Sequence, residues 1–551
     1  MGEISAMFFH SAVMFLWIQS ASGWMHPKCQ IHDNNEDFGH FPTWICTYLP
    51  RHAEHYTAAC EDVTAIEEDL LGLPPNINTL CMSMKQGENR SMSLGFFSQF
   101  QDLEYLYIEG CFSQILPTGE SHLPNLHYLH LEGKISGCCD CHIVPHTFRD
   151  LVKLSHLTMW GYRLSAMAPD VFHGMTQLQS LNIREPCVDD LSEILCRIMK
   201  IKSLMKLNIE APEIQSLNQL NCVFLNTNES VTTVFNNLAF SDLSFGEITH
   251  IEEGALAWLQ NLTRLTGAFS QEVLLHLPLS GIQQIQYFSC SGSNEIDFES
   301  ICNVVFLLSI KEIYLYNANT SSLSMSSGEL CIGLEYMHLH GPGILHSTPY
   351  LEWHFISSLK NLHQLTIDGL KDNGHEICSF QKQPITSLTK LTLVLNNIQM
   401  LFAKQFICLV NLQYLDLADN LISNIEDFAF LGLTNLEYLD IARNMITKIN
   451  TNTFFGLQLT KLTSRFNKLH MLFSLDIAKN KITQINANTF FVFLGQVHNP
   501  LTEPVIKLNL TLIFGGILNQ LTHLYISSAM RPIGYYRTLN YCRCNFDSNI
   551  C

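Results

Sequence analysis

The sequence predicts an α/β solenoid, a curved stack of short coils with a parallel β-sheet along its concave side and a cysteine cap at each end. Apolar residues recur with a period of about 24 residues over most of the 551-residue chain. A series of phenylalanines keeps the same period, and cysteines gather near both ends. Hydrophobic residues make up 47 % of the chain and charged residues 15 %, which is enough apolar material for one long shared core.

The N-terminus predicts export from the cell. Residues 1–23 combine an apolar run, Ala6 to Ile18, with a small-residue segment, Ser20 to Gly23, which together are typical of a signal peptide and its cleavage site. A short buried helix is the alternative interpretation. No later stretch is apolar and long enough to cross a bilayer, so we expect no membrane segment in this chain. Sequons for N-linked glycosylation, which agree with export, lie at Asn89, Asn228, Asn261, Asn319 and Asn509.

Residues 24–76 are predicted to form an N-terminal cap. The first coil of a stack has no neighbour on its outer side, so its core needs a separate cover. Cys29, Cys46 and Cys60 precede the first coil, and cysteines of small exported modules pair in disulfides. We expect two of these cysteines to form a cap disulfide.

Residues 77–539 are predicted to form the solenoid, with about 17–19 coils. The clearest pattern is Leu412, Leu415, Leu417 and Asn420, which begins again at Leu436. Apolar residues at relative positions 1, 4 and 6 with Asn at position 9 are the signature of a leucine-rich repeat. Positions 4 and 6 share the inward face of a short strand, and the residues between them face the concave surface. The position-9 amide bonds otherwise unpaired backbone groups of adjacent coils.

A second template lies on the convex side. Phe148, Phe172, Phe406 and Phe430 share one spacing relative to their strands, and we expect them to stack in a spine within the core. Residues 211–300 fit the first template poorly. There we align Ile282, Ile285 and Cys290 with positions 1, 4 and 9 of one middle coil. Farther on, the strand starts predicted at Leu459 and Leu472 are too close together for a full coil.

Residues 540–551 are predicted to begin a C-terminal cap. Cys542 and Cys544 form a Cys-x-Cys pattern after Asn540 and Tyr541, and Cys551 is the last residue. These three cysteines are disulfide candidates, and the cap is incomplete as the sequence stands.

Taken together, the exported cysteine cap, the phenylalanine-spined repeats, the asparagine-poor middle and the terminal Asn-Tyr-Cys-x-Cys pattern resemble a Toll-like receptor ectodomain. The resemblance covers essentially the whole chain after the signal peptide. It implies a pattern-recognition receptor of innate immunity that binds a microbial ligand, whether lipid, protein or nucleic acid. It also implies a homodimer, or a heterodimer with another leucine-rich repeat receptor.

The family's membrane helix and cytoplasmic signalling domain have no counterpart in this sequence. We therefore expect a non-signalling piece of a longer receptor or a soluble form. The expected location is the secretory pathway, then the extracellular space or the endosomal lumen, with a membrane anchor only if a longer gene product adds one. The alternative is a secreted leucine-rich repeat protein that binds matrix or acts as a decoy.

Residues between the core positions of two groups of strands are candidate ligand contacts on the concave face. Aromatic side chains offer a large contact area, and histidine adds a charge that changes near neutral pH. The alternative is that aromatic residues favour strands and stack across them without binding anything. The candidates are Phe288, Tyr314, Tyr316, Tyr336, His338 and His340 in the middle coils and Tyr105, Tyr107, His130 and Trp160 in the N-terminal coils.

Charge and motifs exclude several function classes. The formal net charge of −19 excludes a constitutively basic nucleic-acid surface, although protonation of the 24 histidines would offset it, which leaves an acid-dependent contact open. No nucleophile elbow, phosphate-binding loop or His-Glu-x-x-His pattern is present, so we predict no catalytic residue, no cofactor and no metal. For the Cys138 to His142 cluster, a loop disulfide to Cys111 or Cys187 is favoured over zinc.

Overall fold

A sheet of 19 strands runs through the part of the chain that the structure, a computed structural model, describes. The described residues are 26–33, 56–85, 90–119, 122–133, 139–164, 167–168, 170–199, 201–220, 238–259, 261–291, 295–316, 319–321, 329–341, 353–369, 377–378, 384–455, 457, 474–476, 484–485 and 507–509. In this region, no helix is both long enough and apolar enough to cross a membrane.

The elements are short, as expected of a solenoid in which each coil contributes one strand to the main sheet. The strands are β1 (Cys29–Asp33), β2 (Tyr56–Val63), β3 (Ile77–Met84), β4 (Ser91–Ser93), β5 (Tyr105–Glu109), β6 (Gln114–Leu116), β7 (Tyr128–Glu132), β8 (His142–Ile143), β9 (His156–Trp160), β10 (Ser180–Arg184), β11 (Lys206–Ala211), β12 (Ser216–Leu217), β13 (Phe240–Ile248), β14 (His250–Ile251), β15 (Arg264–Phe269), β16 (Tyr287–Ser291), β17 (Glu295–Asp297), β18 (Glu312–Tyr316), β19 (Asn319–Ser321), β20 (Tyr336–His340), β21 (Gln364–Asp368), β22 (Lys390–Val394), β23 (Met400–Leu401), β24 (Tyr414–Asp416), β25 (Asn424–Ile425), β26 (Tyr438–Asp440), β27 (Lys448–Ile449), β28 (Ser474–Asp476), β29 (Gln484–Ile485) and β30 (Lys507–Asn509). The α-helices are α1 (Ile66–Asp69), α2 (Leu191–Ile198), α3 (Gln271–His276), α4 (Phe298–Leu307) and α5 (Trp353–Ser358), and 3₁₀ turns span Leu94–Gln99 and Leu277–Ser280.

The main sheet follows the order of the chain. From β2 onward each of its strands pairs in parallel with the next one along the sequence, for example β5 with β7 and β20 with β21. Smaller parallel sheets, such as β23 with β25, form where each coil turns away from the main sheet. Along the strands, buried residues alternate with partly exposed ones, since successive side chains point to opposite faces. The predicted α/β solenoid with a parallel sheet is confirmed.

One hydrophobic core runs the length of the stack. Buried residues from Cys29 to Leu457 belong to a single contiguous cluster. The predicted phenylalanine spine is part of it: the ring centroids of Phe406 and Phe430 lie 6.1 Å apart, and those of Phe430 and Phe454 lie 5.9 Å apart. Because each coil covers the apolar face of the next, no coil has a core of its own.

The N-terminal cap contains a disulfide between Cys29 and Cys60, which joins the antiparallel pair β1 and β2. Asp69 stabilises the turn that follows, because its Oδ2 accepts hydrogen bonds from the backbone N–H groups of Thr64 and Ala65 at 2.6 and 3.0 Å. Lys28 Nζ lies 2.7 Å from the same oxygen. Burial raises the pKa of Asp69, but these hydrogen bonds outweigh it and hold the pKa below its ordinary value. Cys46 lies outside the described residues.

Other disulfides join successive coils, among them Cys111 to Cys139, Cys302 to Cys331 and Cys378 to Cys408. The first of these involves Cys139 of the Cys138 to His142 cluster. Cys141 of that cluster is a buried free thiol, and burial raises its pKa to about 12. A buried neutral thiol of this kind is chemically inert.

The coils that contain β22, β24 and β26 carry the predicted ladder of buried asparagines. Asn420 Oδ1 accepts hydrogen bonds from the backbone N–H groups of Asn396 and Ile398, at 2.9 and 3.2 Å. Its Nδ2 donates to the carbonyl oxygen of Leu393 at 2.6 Å, in the preceding coil. Asn444 repeats the arrangement one coil later, with Nδ2 donating to Leu417 O at 2.9 Å. The ladder therefore satisfies backbone groups where no strand partner is available.

The middle of the stack departs from the predicted register in one coil. Phe288, not Ile285, occupies core position 4, because Phe288 pairs with Ile313 and is fully buried. Cys290 then falls at core position 6, not at position 9, and is a buried free thiol. Ile285 takes position 1 and is buried as well. The alignment of this coil was wrong by three residues.

The register also changes at β13, which is longer than its neighbours. Ile209, at core position 6 of its coil, pairs with Leu243. Leu243 in turn pairs with Leu265, which is at core position 4 of the next coil. The repeat template therefore slips by two residues as the sheet passes through β13, and the pairing of β13 with β15 contains a bulge between Ser244 and Glu247.

Several predictions fall wholly or partly outside the described residues. These are the signal peptide 1–23, the strand starts at Leu459 and Leu472, the incomplete cap 540–551 with Cys542, Cys544 and Cys551, and the sequons at Asn89 and Asn228. The sequons at Asn319 and Asn509 lie in β19 and β30. Asn261 is exposed, and its Nδ2 donates to Leu238 O at 2.8 Å.

Candidate ligand-binding face

A row of tyrosines in mutual ring contact crosses the concave side of the middle coils. The ring centroids of Tyr287 and Tyr314 are 4.4 Å apart, and those of Tyr314 and Tyr336 are 4.9 Å apart. The Arg264 guanidinium lies over the Tyr287 ring, 3.9 Å from its centroid. These residues come from the neighbouring strands β15, β16, β18 and β20, at positions between the core residues. Each ring is partly exposed, so the row presents aromatic surface to the concave side.

Next to this row lies a cluster of two imidazoles and a carboxylate. His338 and His340 stand two residues apart on β20 and therefore point to the same face. Asp368 is directly opposite His340 on β21. His338 Nε2 lies 3.3 Å from Asp368 Oδ2, and His340 Nδ1 lies 2.6 Å from Asp368 Oδ1. The Tyr316 ring borders both histidines, with its centroid 5.6 Å from each.

Burial and nearby polar groups shift the pKa values of several side chains on this surface. Burial raises the pKa of Asp368, but hydrogen bonding to His338 and His340 lowers it, and the net pKa is below the ordinary value. Asp368 therefore carries its charge at neutral pH. Burial and the neighbouring tyrosines raise the pKa values of Tyr314 and Tyr316. Both hydroxyls stay protonated at neutral pH and can donate or accept a hydrogen bond.

A second aromatic group lies on the N-terminal coils. Tyr128 stacks between Tyr105 and His156, with ring centroids 4.6 and 4.2 Å apart. Farther along the sequence, the Arg184 guanidinium covers the Trp160 ring at 4.7 Å, and its Nε is 2.6 Å from Glu210 Oε2. In this N-terminal group the aromatic rings pack on one another, and the Trp160 ring also packs against the charged side chain of Arg184.

Glu132 is the centre of the polar part of that N-terminal group. It is a buried carboxylate, and the hydroxyl of Tyr107 donates a hydrogen bond to its Oε2. His130 Nε2 lies 3.4 Å from the same oxygen. Burial raises the pKa of Glu132, but the contacts with His130 and Tyr107 outweigh it, and the net pKa is lowered. Tyr105 and Tyr107 are themselves buried, at 4 % and 6 % exposed, so they offer little surface to a ligand.

Nine of the ten predicted contact residues occupy strand positions between the core residues, as expected. They are Tyr314, Tyr316, Tyr336, His338 and His340 in the middle coils and Tyr105, Tyr107, His130 and Trp160 in the N-terminal coils. Phe288 was placed wrongly: it belongs to the core, and its neighbour Tyr287 faces the concave side. Whether any of these residues contacts a ligand remains a prediction.

Sequence reasoning also missed Arg264 and Asp368, both of which complete the middle group. The correct strand register would have indicated each of them. Asp368 comes directly after Ile367, at the position that pairs with His340 on the preceding strand.

Comparisons with known proteins agree with this architecture. A family model described as leucine rich repeat matches residues 411–469. The solved TLR13–ssRNA13 complex is 16 % identical, with a TM-score of 0.52 over 79 % of this chain and 64 % of that one. The mouse RP105/MD-1 complex is 16 % identical, with a TM-score of 0.51 over 78 % of this chain and 67 % of that one. No curated protein matches the sequence.

This chain thus spans about two thirds of the length of each of those receptors. It has the leucine-rich repeat fold of a Toll-like receptor ectodomain, and the resemblance noted in the sequence is confirmed at the level of the fold.

Proposed function

We propose that this chain is the ligand-binding ectodomain of a pattern-recognition receptor of innate immunity and lies in the extracellular space or the endosomal lumen. The proposed ligand is a microbial component that binds on the concave side of the middle coils. Binding brings together two leucine-rich repeat chains, either two copies of this one or this one and a related receptor.

The observation that carries this proposal is the continuous aromatic surface of the middle coils. Tyr314 and Tyr316 on β18 meet His338 and His340 on β20, and all four side chains are partly exposed. Aromatic side chains of this kind dominate binding energy when they are desolvated at the centre of an interface. The rigid sheet holds them in place, so little conformational freedom is lost on binding.

The structural neighbours support the proposal in general terms. One of them was solved in complex with a single-stranded RNA and the other in complex with MD-1, so chains of this fold form complexes with more than one kind of partner. Stacked tyrosines with a nearby arginine suit an unpaired base as well as an apolar chain. The ligand class is therefore an outcome of the experiment below.

The test measures the affinity of the purified chain for three probes: a single-stranded RNA, a bacterial lipopeptide and a bacterial surface protein. Each is titrated at neutral and at mildly acid pH, so that the acid-dependent contact left open by the sequence is tested as well. We expect one probe to bind, and Tyr316→Ala to weaken its binding at least about tenfold. Tyr414→Ala is the matched control, since Tyr414 is also a partly exposed strand tyrosine, stacked on Tyr438, but lies in the regular coils.

Sedimentation of the chain with and without the bound probe tests the second half of the proposal. An increase to a dimer supports a receptor ectodomain. A monomer that still binds the probe supports the decoy alternative. If no probe binds, or if Tyr414→Ala weakens binding as much as Tyr316→Ala, the middle face is not the ligand site.

A further inference from the structure

We propose that His338, His340 and Asp368 form a binding site for a divalent transition metal, with zinc as the expected ion. The inference concerns the cluster itself and holds whether or not the chain is a receptor. It revises the prediction from the sequence that no metal is bound.

The geometry of the cluster carries the inference. One ligand atom from each of the three side chains lies within 4.8 Å of the other two. Zinc binds imidazole nitrogen and carboxylate oxygen at about 2.0–2.2 Å, so three ligands around one ion lie roughly 3–3.5 Å from one another. The contacts of 3.3 Å from His338 Nε2 to Asp368 Oδ2 and 2.6 Å from His340 Nδ1 to Asp368 Oδ1 show that both imidazoles already face this carboxylate, each through a different oxygen. We expect small side-chain rotations to bring one atom of each side chain around a single ion.

The chemistry of the three ligands also suits zinc. Two neutral imidazoles and one carboxylate form a common protein ligand set for this ion. The three side chains are only partly exposed, with Asp368 at 17 %, His338 at 16 % and His340 at 42 %, so an ion there is shielded from solvent on one side yet still accessible.

The scaffold holds the ligands in place without a metal. His338 and His340 share one strand, and the parallel pairing of β20 with β21 fixes Asp368 opposite His340. Two other histidine–carboxylate pairs, His130 with Glu132 and His146 with Asp170, lie 3.4 and 3.6 Å apart. Neither pair has a third ligand within reach, and among the described residues only the β20–β21 cluster groups three.

Among the described residues, no fourth His, Cys, Asp or Glu joins the cluster. All three side chains project from the same face of the sheet, so the sheet backbone closes one side of the ion. A fourth ligand has to come from the concave side. Three protein ligands plus one exchangeable position is the arrangement of an open zinc site. Such an ion adds positive charge to a chain whose net charge is −19.

Calorimetric titration of the metal-free chain with zinc chloride alone tests the proposal. In wild type, we expect one equivalent of zinc to bind to the cluster. In His340→Ala and in Asp368→Asn, that equivalent should be absent from the binding curve, or its affinity should fall at least about tenfold. His363→Ala is the matched control, because His363 is an exposed histidine just before β21 that belongs to no group of three potential ligands among the described residues. Circular dichroism of each variant establishes that it is folded.

Cobalt(II) in place of zinc gives an independent readout. An ion held by two histidines and one carboxylate has a stronger visible absorption than octahedral aqueous cobalt, and zinc displaces it. The proposal is overturned if the wild-type chain takes up no zinc, if folded His340→Ala binds as much zinc as wild type, or if His363→Ala loses the same equivalent. None of these outcomes depends on whether a microbial ligand binds.

Discussion

The regular coils around β22, β24 and β26 and the middle coils around β16, β18 and β20 build the same strand in different ways. In the regular coils, Asn420 and Asn444 satisfy the backbone where the chain turns. The middle coils have no described asparagine in that role; instead, helix α4 fills the convex side and the Cys302–Cys331 disulfide joins neighbouring coils.

This difference shows which parts of a coil are fixed by the architecture and which are free. The inward positions of the strand are apolar in both regions, because each must fill the shared core. The outward positions of the regular coils hold Tyr414, Tyr438 and acidic residues, whereas those of the middle coils hold the Tyr–His–Asp group. The Tyr–His–Asp group thus lies in coils that have no described asparagine at position 9.

The largest expected effect is removal of the disulfide from the middle coils. In the double variant Cys302→Ala and Cys331→Ala, the unfolded chain regains the freedom of a loop that the bond had closed, and we expect a loss of about 3 kcal/mol. Urea unfolding measures the loss, and hydrogen exchange locates it. Loss of protection should concentrate in β16, β18 and β20. Equal loss in β24 and β26 would contradict the view that the two regions are stabilised separately.

The next largest effect is expected from Asn420→Ala in the regular coils. The substitution removes the oxygen that accepts from the buried N–H groups of Asn396 and Ile398, which costs about 2–3 kcal/mol. Hydrogen exchange should rise in β22 and β24 while β18 keeps its protection. Asn424→Ala is the control, since Asn424 is exposed and should change stability by less than about 0.5 kcal/mol. A similar loss in both variants would remove the ladder as the cause.

The smallest effect is expected from surface ion pairs, which occur in both regions. Arg443 Nε lies 2.6 Å from Asp419 Oδ1 in the regular coils, and Lys311 Nζ lies 2.7 Å from Glu335 Oε1 in the middle. All four side chains are well exposed, so Arg443→Ala and Lys311→Ala should each cost less than about 0.5 kcal/mol. Thermal unfolding at low and high salt measures this. A large loss in only one variant would mean that surface charge also distinguishes the two regions.

The sequence predicted the fold well because the solenoid repeats one physical requirement many times. A strand in this stack must bury alternate residues and must turn at a fixed place, so Leu412, Leu415 and Asn420 indicate its register without further information. Where a coil lacks this asparagine, only the spacing of its apolar residues indicates the strand register. Ile282 and Ile285 then imitate positions 1 and 4, although Ile285 and Phe288 occupy them.

The candidate site was predicted only in part, for a different reason. The strand alternation placed His338 and His340 on the concave face correctly. It did not indicate Asp368, because that residue meets them through the pairing of two strands whose register depends on the whole stack. Pairwise contacts between coils are set by three-dimensional stacking, and the repeat pattern carries no direct signal for them.

The two-residue slip at β13 displaces the second half of the stack sideways relative to the first. Two residues of extended chain measure about 7 Å, so the concave side contains a lateral step of roughly that size. Residues that pair from strand to strand form lines across the sheet. The line that starts at Tyr107 passes through Asp242 at this step and continues to Tyr287 and Tyr336. The line of paired residues that starts at Tyr105 instead reaches Phe240, which is the first residue of β13. A straight, rigid molecule that touches both aromatic groups can therefore follow only one of these lines, and a molecule that follows the other has to bend.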